Sequence, residues 1–287
     1  MFRQLRVVLE MVKIEHTVFA LPFTFMSALL ALRGWPSPAQ VGWILLAMVG
    51  ARSAAMAFNR LVDLPFDAQN PRTQGRALPR RLVTKGFVAA FVVAGSAALV
   101  FAASQLNRQA LLLSPLALAV VLGYSFTKRF TWLSHVVLGV ALGAAPVGAW
   151  VALRGDVAAA PLVLGLAVVL WVAGFDIIYS CQDVEFDRKV ALHSIPERFG
   201  TAVALRVSAF FHLLMLLILG ILFWKEHLGT ISYLGLVAVG LLIAYEHRLV
   251  RPGDLSRADT AFFTVNGWIS VLLFMTTMID LLWSGPG

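Results

Sequence analysis

Nine stretches of the chain stay apolar for about the 20 residues that a helix needs to cross a bilayer. They run over roughly 14–32, 41–60, 86–104, 109–126, 132–152, 158–182, 201–224, 229–246 and 262–283, with polar segments between them. The pattern predicts an all-α, polytopic membrane protein of about nine transmembrane helices. These spans use most of the 287 residues, so a single integral membrane domain over 1–287 is expected, with the lipid bilayer as its first partner. Composition agrees: 60% of residues are hydrophobic, 13% are charged and the mean hydropathy is +0.83, far from a soluble domain.

The net charge of +8 raises nucleic acid as a partner, but the placement of the basic residues opposes it. Of the 23 Lys and Arg, all except Arg33, Arg108, Arg154 and Lys225 lie at the N-terminus, in the stretches after spans two, four, six and eight, or in spans beside them. The positive-inside rule then predicts a cytoplasmic N-terminus, an external C-terminus and long polar loops on the cytoplasmic side of the cell's inner membrane. The basic excess is thus mainly topological and no nucleic-acid partner is expected. The opening "MFRQLRVVLEMVKIEH" lacks a small-residue cleavage site and reads as an interfacial helix instead of a signal peptide. The lone Cys181 excludes an internal disulfide and is expected to pack.

Against this background two acidic clusters stand out. "NRLVDLPFD" places Asn59, Asp63 and Asp67 at four-residue spacing at the end of span two, and "FDIIYSCQDVEFD" places Asp183 and Asp187 at the end of span six. Both share Asp-x-x-Phe-Asp. Each is followed by a basic stretch, an aliphatic-Pro pair (Leu78-Pro79, Ile195-Pro196) and a Thr that opens the next span (Thr84, Thr201). We read an internal duplication of a four-helix unit, spans one to four and five to eight, with span nine added; such repeats face their motifs toward each other. Positions i, i+4 and i+7 of a helix share a face, which predicts the stripes Arg52, Asn59, Asp63 and Asp176, Tyr179, Asp183, Asp187. Pro65 opposes helix continuation through Leu61, so span two is predicted to break near Asp63.

Four carboxylates at one mouth repel unless cations sit among them. Hard oxygen donors with an amide beside them suit Mg²⁺, which binds through one or two carboxylates while substrate phosphates complete its shell. The alternative is a set of solvated charges capping helix ends. Ionisable groups near membrane depth are costly and usually functional, which favours the metal reading. A diphosphate held by metals calls for cations nearby: Arg72 and Arg76 follow the first motif, Lys128 and Arg129 sit in the short loop "YSFTKRFTW", and Arg188 and Lys189 follow the second. Arg80, Arg81 and Lys85 are accounted for by topology alone. Arg52 lies about 10 Å deeper than Asn59 at about 1.5 Å rise per residue. It either pairs with a protein acid or binds a substrate carboxylate in a bidentate fork. His16, His135, His212 and Asn266 read as hydrogen bonders between helices, and Asp280 as an external interfacial residue.

These residues resemble the UbiA superfamily of intramembrane aromatic prenyltransferases. "NRLVDLPFD" is similar to the family's Asn-x-x-x-Asp-x-x-x-Asp motif, "DIIYSCQDVEFD" to its Asp-x-x-Tyr-x-x-x-Asp-x-x-x-Asp motif, and "YSFTKRFT" to the Tyr-x-x-x-Lys-Arg-x-Thr loop between them. "IEHTVFALPF" and "QDVEFDRKVALHSIPERFG" look like the 4-hydroxybenzoate polyprenyltransferases and their relatives that prenylate 1,4-dihydroxy-6-naphthoate. "QDVEFD" is less acidic than the second motif of the better-known hydroxybenzoate enzymes, which inclines the acceptor toward the naphthoate. The resemblance implies a Mg²⁺-dependent enzyme that moves a polyprenyl chain from polyprenyl diphosphate onto an aromatic carboxylate acceptor in quinone biosynthesis. Asn59, Asp63, Asp67, Asp183 and Asp187 would hold metal, Lys128 and Arg129 would help diphosphate leave, Asp176 would polarise the acceptor hydroxyl or stabilise the cation, and Tyr179 would orient the acceptor. Haem O, chlorophyll and glycerolipid prenyltransferases are alternatives within the superfamily. A cation-coupled transporter is the alternative outside it, but it would place its acids near the bilayer midplane.

Overall fold

The computed structural model describes residues 2–12 and 19–283; His16, the beginning of the first apolar run and the last four residues lie outside them. The described elements are helical throughout. Eight helices are long and apolar enough to cross a membrane: Pro38–Val62, Lys85–Leu106, Arg108–Arg129, Ser134–Arg154, Ala159–Lys189, Thr201–Lys225, Thr230–Leu249 and Thr260–Trp283. They correspond to eight of the nine expected spans. The remaining one is present as the shorter apolar helix Leu21–Leu32. The protein is a multi-pass membrane protein.

The chain forms two compact units, Met1–Thr17 with Pro38–Phe126, and Val18–Ser37 with Thr127–Gly287. In the first, α1 (Phe2–Val12) is followed by α3 (Pro38–Val62), the short α4 (Leu64–Asp67), α5 (Lys85–Leu106) and α6 (Arg108–Gly123). Helices in lipid gain nothing by hiding apolar surface from one another, so close backbone approach through small residues carries the packing. α3 and α5 meet at Gly50 and Gly95, where a Cβ on Gly50 would stand 2.7 Å from the Gly95 carbonyl oxygen. Val8 of α1 is buried with Ala54, Ala57, Val88 and Val92.

In the second unit α2 (Leu21–Leu32) joins α7 (Ser134–Arg154), α8 (Ala159–Ser180), α9 (Val184–Lys189), α10 (Ile195–Phe199), α11 (Thr201–Lys225), α12 (Thr230–Leu249), a π-helical turn Thr260–Val265 and α13 (Asn266–Trp283). α7 and α8 cross at Gly143 and Gly165, again too close for a side chain: a Cβ on Gly143 would meet the Gly165 carbonyl at 2.6 Å. Span one therefore packs with spans five to nine. Ser27 donates to the Pro146 carbonyl at 2.6 Å, the Phe23 ring lies tilted against Trp171 with 5.0 Å between centroids, and Arg33 pairs with Glu226 at 2.6 Å. The compact units thus follow a different boundary from the repeat read in the sequence, because these contacts are made by side chains with no counterpart in a motif.

His212 and Asn266 do bond between helices. His212 Nε2 faces the Trp171 carbonyl at 3.2 Å and its Nδ1 faces His247 Nε2 at 3.0 Å. Asn266 donates to Glu246 at 2.8 Å and accepts from the Trp171 indole at 2.6 Å. Asp280 is buried and caps the start of α12 by accepting from the Gly229 amide and from Ser232.

Candidate active site

α3 ends at Val62 and α4 begins at Leu64 with Pro65 in its first turn, so the helix breaks at Asp63, as Pro65 predicts. Asp63 sits at the junction with φ −87° and ψ 1°. Its carboxylate accepts the Asn59 side-chain amide at 2.7 Å, so the first two members of the motif are oriented by each other. Asp67 is buried; its Oδ1 accepts from Arg76 at 2.6 Å, and Thr73 donates to its backbone carbonyl at 3.1 Å. Asp67 Oδ2 is buried with no hydrogen-bond partner, and the Arg60 guanidinium stands 3.9 Å from it.

The second motif has the same local shape. α8 ends at Ser180, a 3₁₀ turn covers Cys181–Asp183, and α9 opens at Val184. Asp183 occupies the junction with φ −105° and ψ 4°, close to the values at Asp63. Asp187 follows as a buried carboxylate, bonded by Ser194 Oγ at 3.1 Å. This break differs from the single uninterrupted stripe expected from Asp176 to Asp187. Its cause is local: the Ser180 hydroxyl and the Cys181 thiol both bond back to the Ile177 carbonyl, at 2.9 and 3.3 Å, competing with the helix for that acceptor. The buried Cys181 packs as expected.

Between Trp171 and Cys181 every residue is buried except Asp176 and Tyr179. Asp176 and Tyr179 therefore share the accessible face of this stretch of α8, as their spacing implies. The Tyr179 ring lies against Phe262 of the π-helical turn, 4.3 Å between centroids. Asp176 Oδ2 is 2.7 Å from Nδ1 of the fully buried His135 on α7. Lys128 and Arg129 end the 3₁₀ turn Tyr124–Arg129, and the Lys128 carbonyl accepts from the His193 amide at 2.7 Å.

Arg52 lies within α3 with its Nε buried and without a hydrogen-bond partner. No acid among the described residues pairs with it, which leaves the protein-acid alternative unsupported. Arg76 is engaged by Asp67, whereas Arg72 is an exposed loop residue whose backbone amide bonds Asn70. Sequence reasoning passed over Arg60, Ser194 and the contact of His135. Arg60 stands seven residues before Asp67, on the same helical face if α3 continued. Ser194 opens the capping box Ser-Ile-Pro-Glu, and its Oγ accepts from the Glu197 amide at 3.2 Å. Nothing in the sequence links His135 to Asp176.

Among the described residues no three His, Cys, Asp or Glu side chains form a metal cage of their own. A family model for the UbiA prenyltransferase family matches residues 20–271. The chain belongs to that family. It is 32% identical over 247 residues to a 4-hydroxybenzoate octaprenyltransferase of Idiomarina loihiensis, covering 83% of this chain and 84% of that protein. Among solved structures, the apo UbiA homologue of Aeropyrum pernix K1 superposes with a TM-score of 0.85 at 36% identity, over 93% of this chain and 98% of that one. A UbiA homologue of Archaeoglobus fulgidus bound to GPP and Mg²⁺ shares the fold at a TM-score of 0.74 and 17% identity, over 96% and 99% of the two chains. The UbiA match makes this chain a membrane prenyltransferase.

Proposed function

We propose that this prenyltransferase moves a polyprenyl chain from polyprenyl diphosphate onto an aromatic hydroxycarboxylate in quinone biosynthesis, with Mg²⁺ as cofactor. The observation that carries this reading is the repeated junction: a helix broken at an aspartate, followed four residues later by a buried aspartate, at both Asp63/Asp67 and Asp183/Asp187. The donor set fits Mg²⁺. It consists of hard oxygens, and Asp67 Oδ2 is buried without a hydrogen bond. Mg²⁺ usually takes one or two carboxylates and completes its shell with phosphate oxygens and water. Asn59, Asp63 and Asp67 are the candidate metal ligands of the first motif, and Asp183 and Asp187 those of the second. Bound there, Mg²⁺ supplies neutralisation of the diphosphate charge.

The side chains do the rest. Lys128, Arg129 and Arg72 bind diphosphate oxygens, and Arg76 exchanges Asp67 for one. As the C–O bond breaks, the diphosphate leaves with the electron pair, and these cations stabilise it. Arg52 holds the acceptor carboxylate. Asp176 accepts the hydrogen bond of the acceptor hydroxyl and raises electron density on the ring, while Tyr179, held by Phe262, lies along the acceptor. The allylic carbon forms a C–C bond beside the hydroxyl and the ring then loses one proton. Apolar spans exclude the water that would trap the cation.

The name of the Idiomarina relative favours 4-hydroxybenzoate, and the less acidic "QDVEFD" favours 1,4-dihydroxy-6-naphthoate; both supply the carboxylate that Arg52 requires. Incubation of protein-containing membranes with labelled polyprenyl diphosphate, Mg²⁺ and each acceptor should give a product with the mass of acceptor plus prenyl group. Product only with haem, chlorophyllide or glycerol phosphate acceptors would overturn the assignment.

We also place the acidic motifs on the cytoplasmic side of the inner membrane, supported by the distribution of Lys and Arg. Cysteines replacing the exposed Gln74 and His193 should react with an impermeant thiol reagent only from the cytoplasm, and one replacing Pro286 only from outside. The native Cys181 is buried and gives little background. Labelling of positions 74 and 286 from the same side would break the nine-span topology.

A further inference from the structure

Three consecutive residues after the second acidic motif each reach a different part of the chemistry assigned above. The His193 amide donates to the Lys128 carbonyl at 2.7 Å, holding the basic turn. The Ser194 hydroxyl donates to Asp187 Oδ2 at 3.1 Å. The Ile195 amide donates to His135 Nε2 at 3.3 Å, and Nδ1 of the same ring stands 2.7 Å from Asp176 Oδ2. Ser194 and His135 are both wholly buried, which strengthens the bonds they make.

The Ile195 contact decides the state of the imidazole. A backbone amide only donates, so Nε2 is the acceptor and carries no proton. The proton of the neutral ring is then on Nδ1, where it can be given only to the Asp176 carboxylate. The hydrogen bond to one ring nitrogen thus sets the function of the other. We propose that His135 is the positioning residue for Asp176, and that the 193–195 segment acts as a strap that holds the Lys128 turn, Asp187 and, through His135, Asp176 in one arrangement. This rests on the role given to Asp176 above. His135 itself touches no substrate; it sets the rotamer of a carboxylate that does. Outer groups that orient a functional side chain in this way typically matter by about 10- to 100-fold in activity.

The fold supports the strap at both ends. Ser194 is the N-cap of α10, with extended φ −147° and ψ 163° and its Oγ bonded to the Glu197 amide. At the other end the 3₁₀ turn closes on Lys128 and Arg129. On the far side of His135, α7 lies so close to α8 that a Cβ on Gly139 would stand 2.5 Å from the Val169 carbonyl. Such contact leaves the ring little freedom to turn away from Asp176.

The test is a double-mutant cycle in purified, lipid-reconstituted protein, reading kcat and KM for both substrates together with thermal stability. His135→Leu should lower kcat about 10- to 100-fold and leave KM for the prenyl diphosphate within about twofold. His135→Gln, whose amide offers both an N–H donor and a carbonyl acceptor, should restore most of the loss. His135→Leu combined with Asp176→Asn should be no slower than Asp176→Asn alone, because the histidine acts through that carboxylate. Should His135→Leu fail to fold, Ile195→Pro removes the amide donor at the first helical position, where proline is well accepted, and Ile195→Val, which trims the same buried side chain but keeps the amide, controls for the lost packing. Ile195→Pro should lower kcat with both ring and carboxylate intact. Wild-type kcat in folded His135→Leu or Ile195→Pro, or full additivity in the double variant, would overturn the positioning role. Wild-type turnover in Asp176→Asn would instead remove the catalytic role of Asp176, and the positioning role with it.

Discussion

Asp63→Asn and Asp183→Asn should each lower Mg²⁺-dependent turnover by a factor of about 10² or more, the scale on which removal of a single charge-stabilising group from an active site is felt. The physical argument is the same at both positions. Each aspartate stands at the junction between a long helix and a short one, and asparagine keeps its shape while removing the negative charge that a hard cation requires. Folding should survive, because the change relieves repulsion among carboxylates. Asparagine at 63 still has an amide oxygen to accept the Asn59 donor that now stands 2.7 Å away. Melting temperature and expression should therefore stay near wild type while the Mg²⁺ concentration for half-maximal rate rises. If either variant turns over at a near-normal rate, the metal assignment for that motif fails. Because the two aspartates are tested singly, the result also shows whether both halves of the duplication work.

The second large effect is expected at Arg52. Lysine keeps the charge but loses the planar fork that grips a carboxylate with two parallel hydrogen bonds. Hydrogen bonds to charged groups contribute on the order of 1.5–3 kcal/mol, so Arg52→Lys should lower acceptor kcat/KM roughly ten- to hundredfold. KM for prenyl diphosphate should change little. Arg52 Nε is buried and unbonded, and with no protein acid beside it the substitution should cost little thermal stability. Equal losses toward both substrates would sink the carboxylate clamp and reopen the acceptors that lack a carboxylate.

Several features of the site were legible from the residues because their causes are local. Pro65 cannot continue a helix, so the break at Asp63 follows from one residue and its neighbours. The Asp176–Tyr179 face follows from helical spacing. The break after Ser180 has no proline to announce it; it arises where two side chains compete for the Ile177 carbonyl, a competition that many helical serines and cysteines lose. The pairing of Asp67 with Arg76 was hidden for another reason. The sequence placed a predicted metal ligand and a predicted diphosphate ligand near each other, and opposite charges at that range bond to each other.

What the sequence by itself determined is the class of molecule and the position of its two acidic motifs. Runs of about 20 apolar residues leave helices as the structures that satisfy every backbone polar group in lipid. The two acidic motifs could be recognised because their members sit within one or two turns of each other. Tertiary structure alone decided which unit the first span joins, which cation each carboxylate meets, and that His135 stands between the Ile195 amide and Asp176. The bonds of His135 to Asp176 and Ile195 and of Ser27 to Pro146 join residues 41 to 119 positions apart, and glycines such as Gly143 and Gly165 let the helix backbones come together. No helical period carries information over such distances; only the packing of one helix on another does.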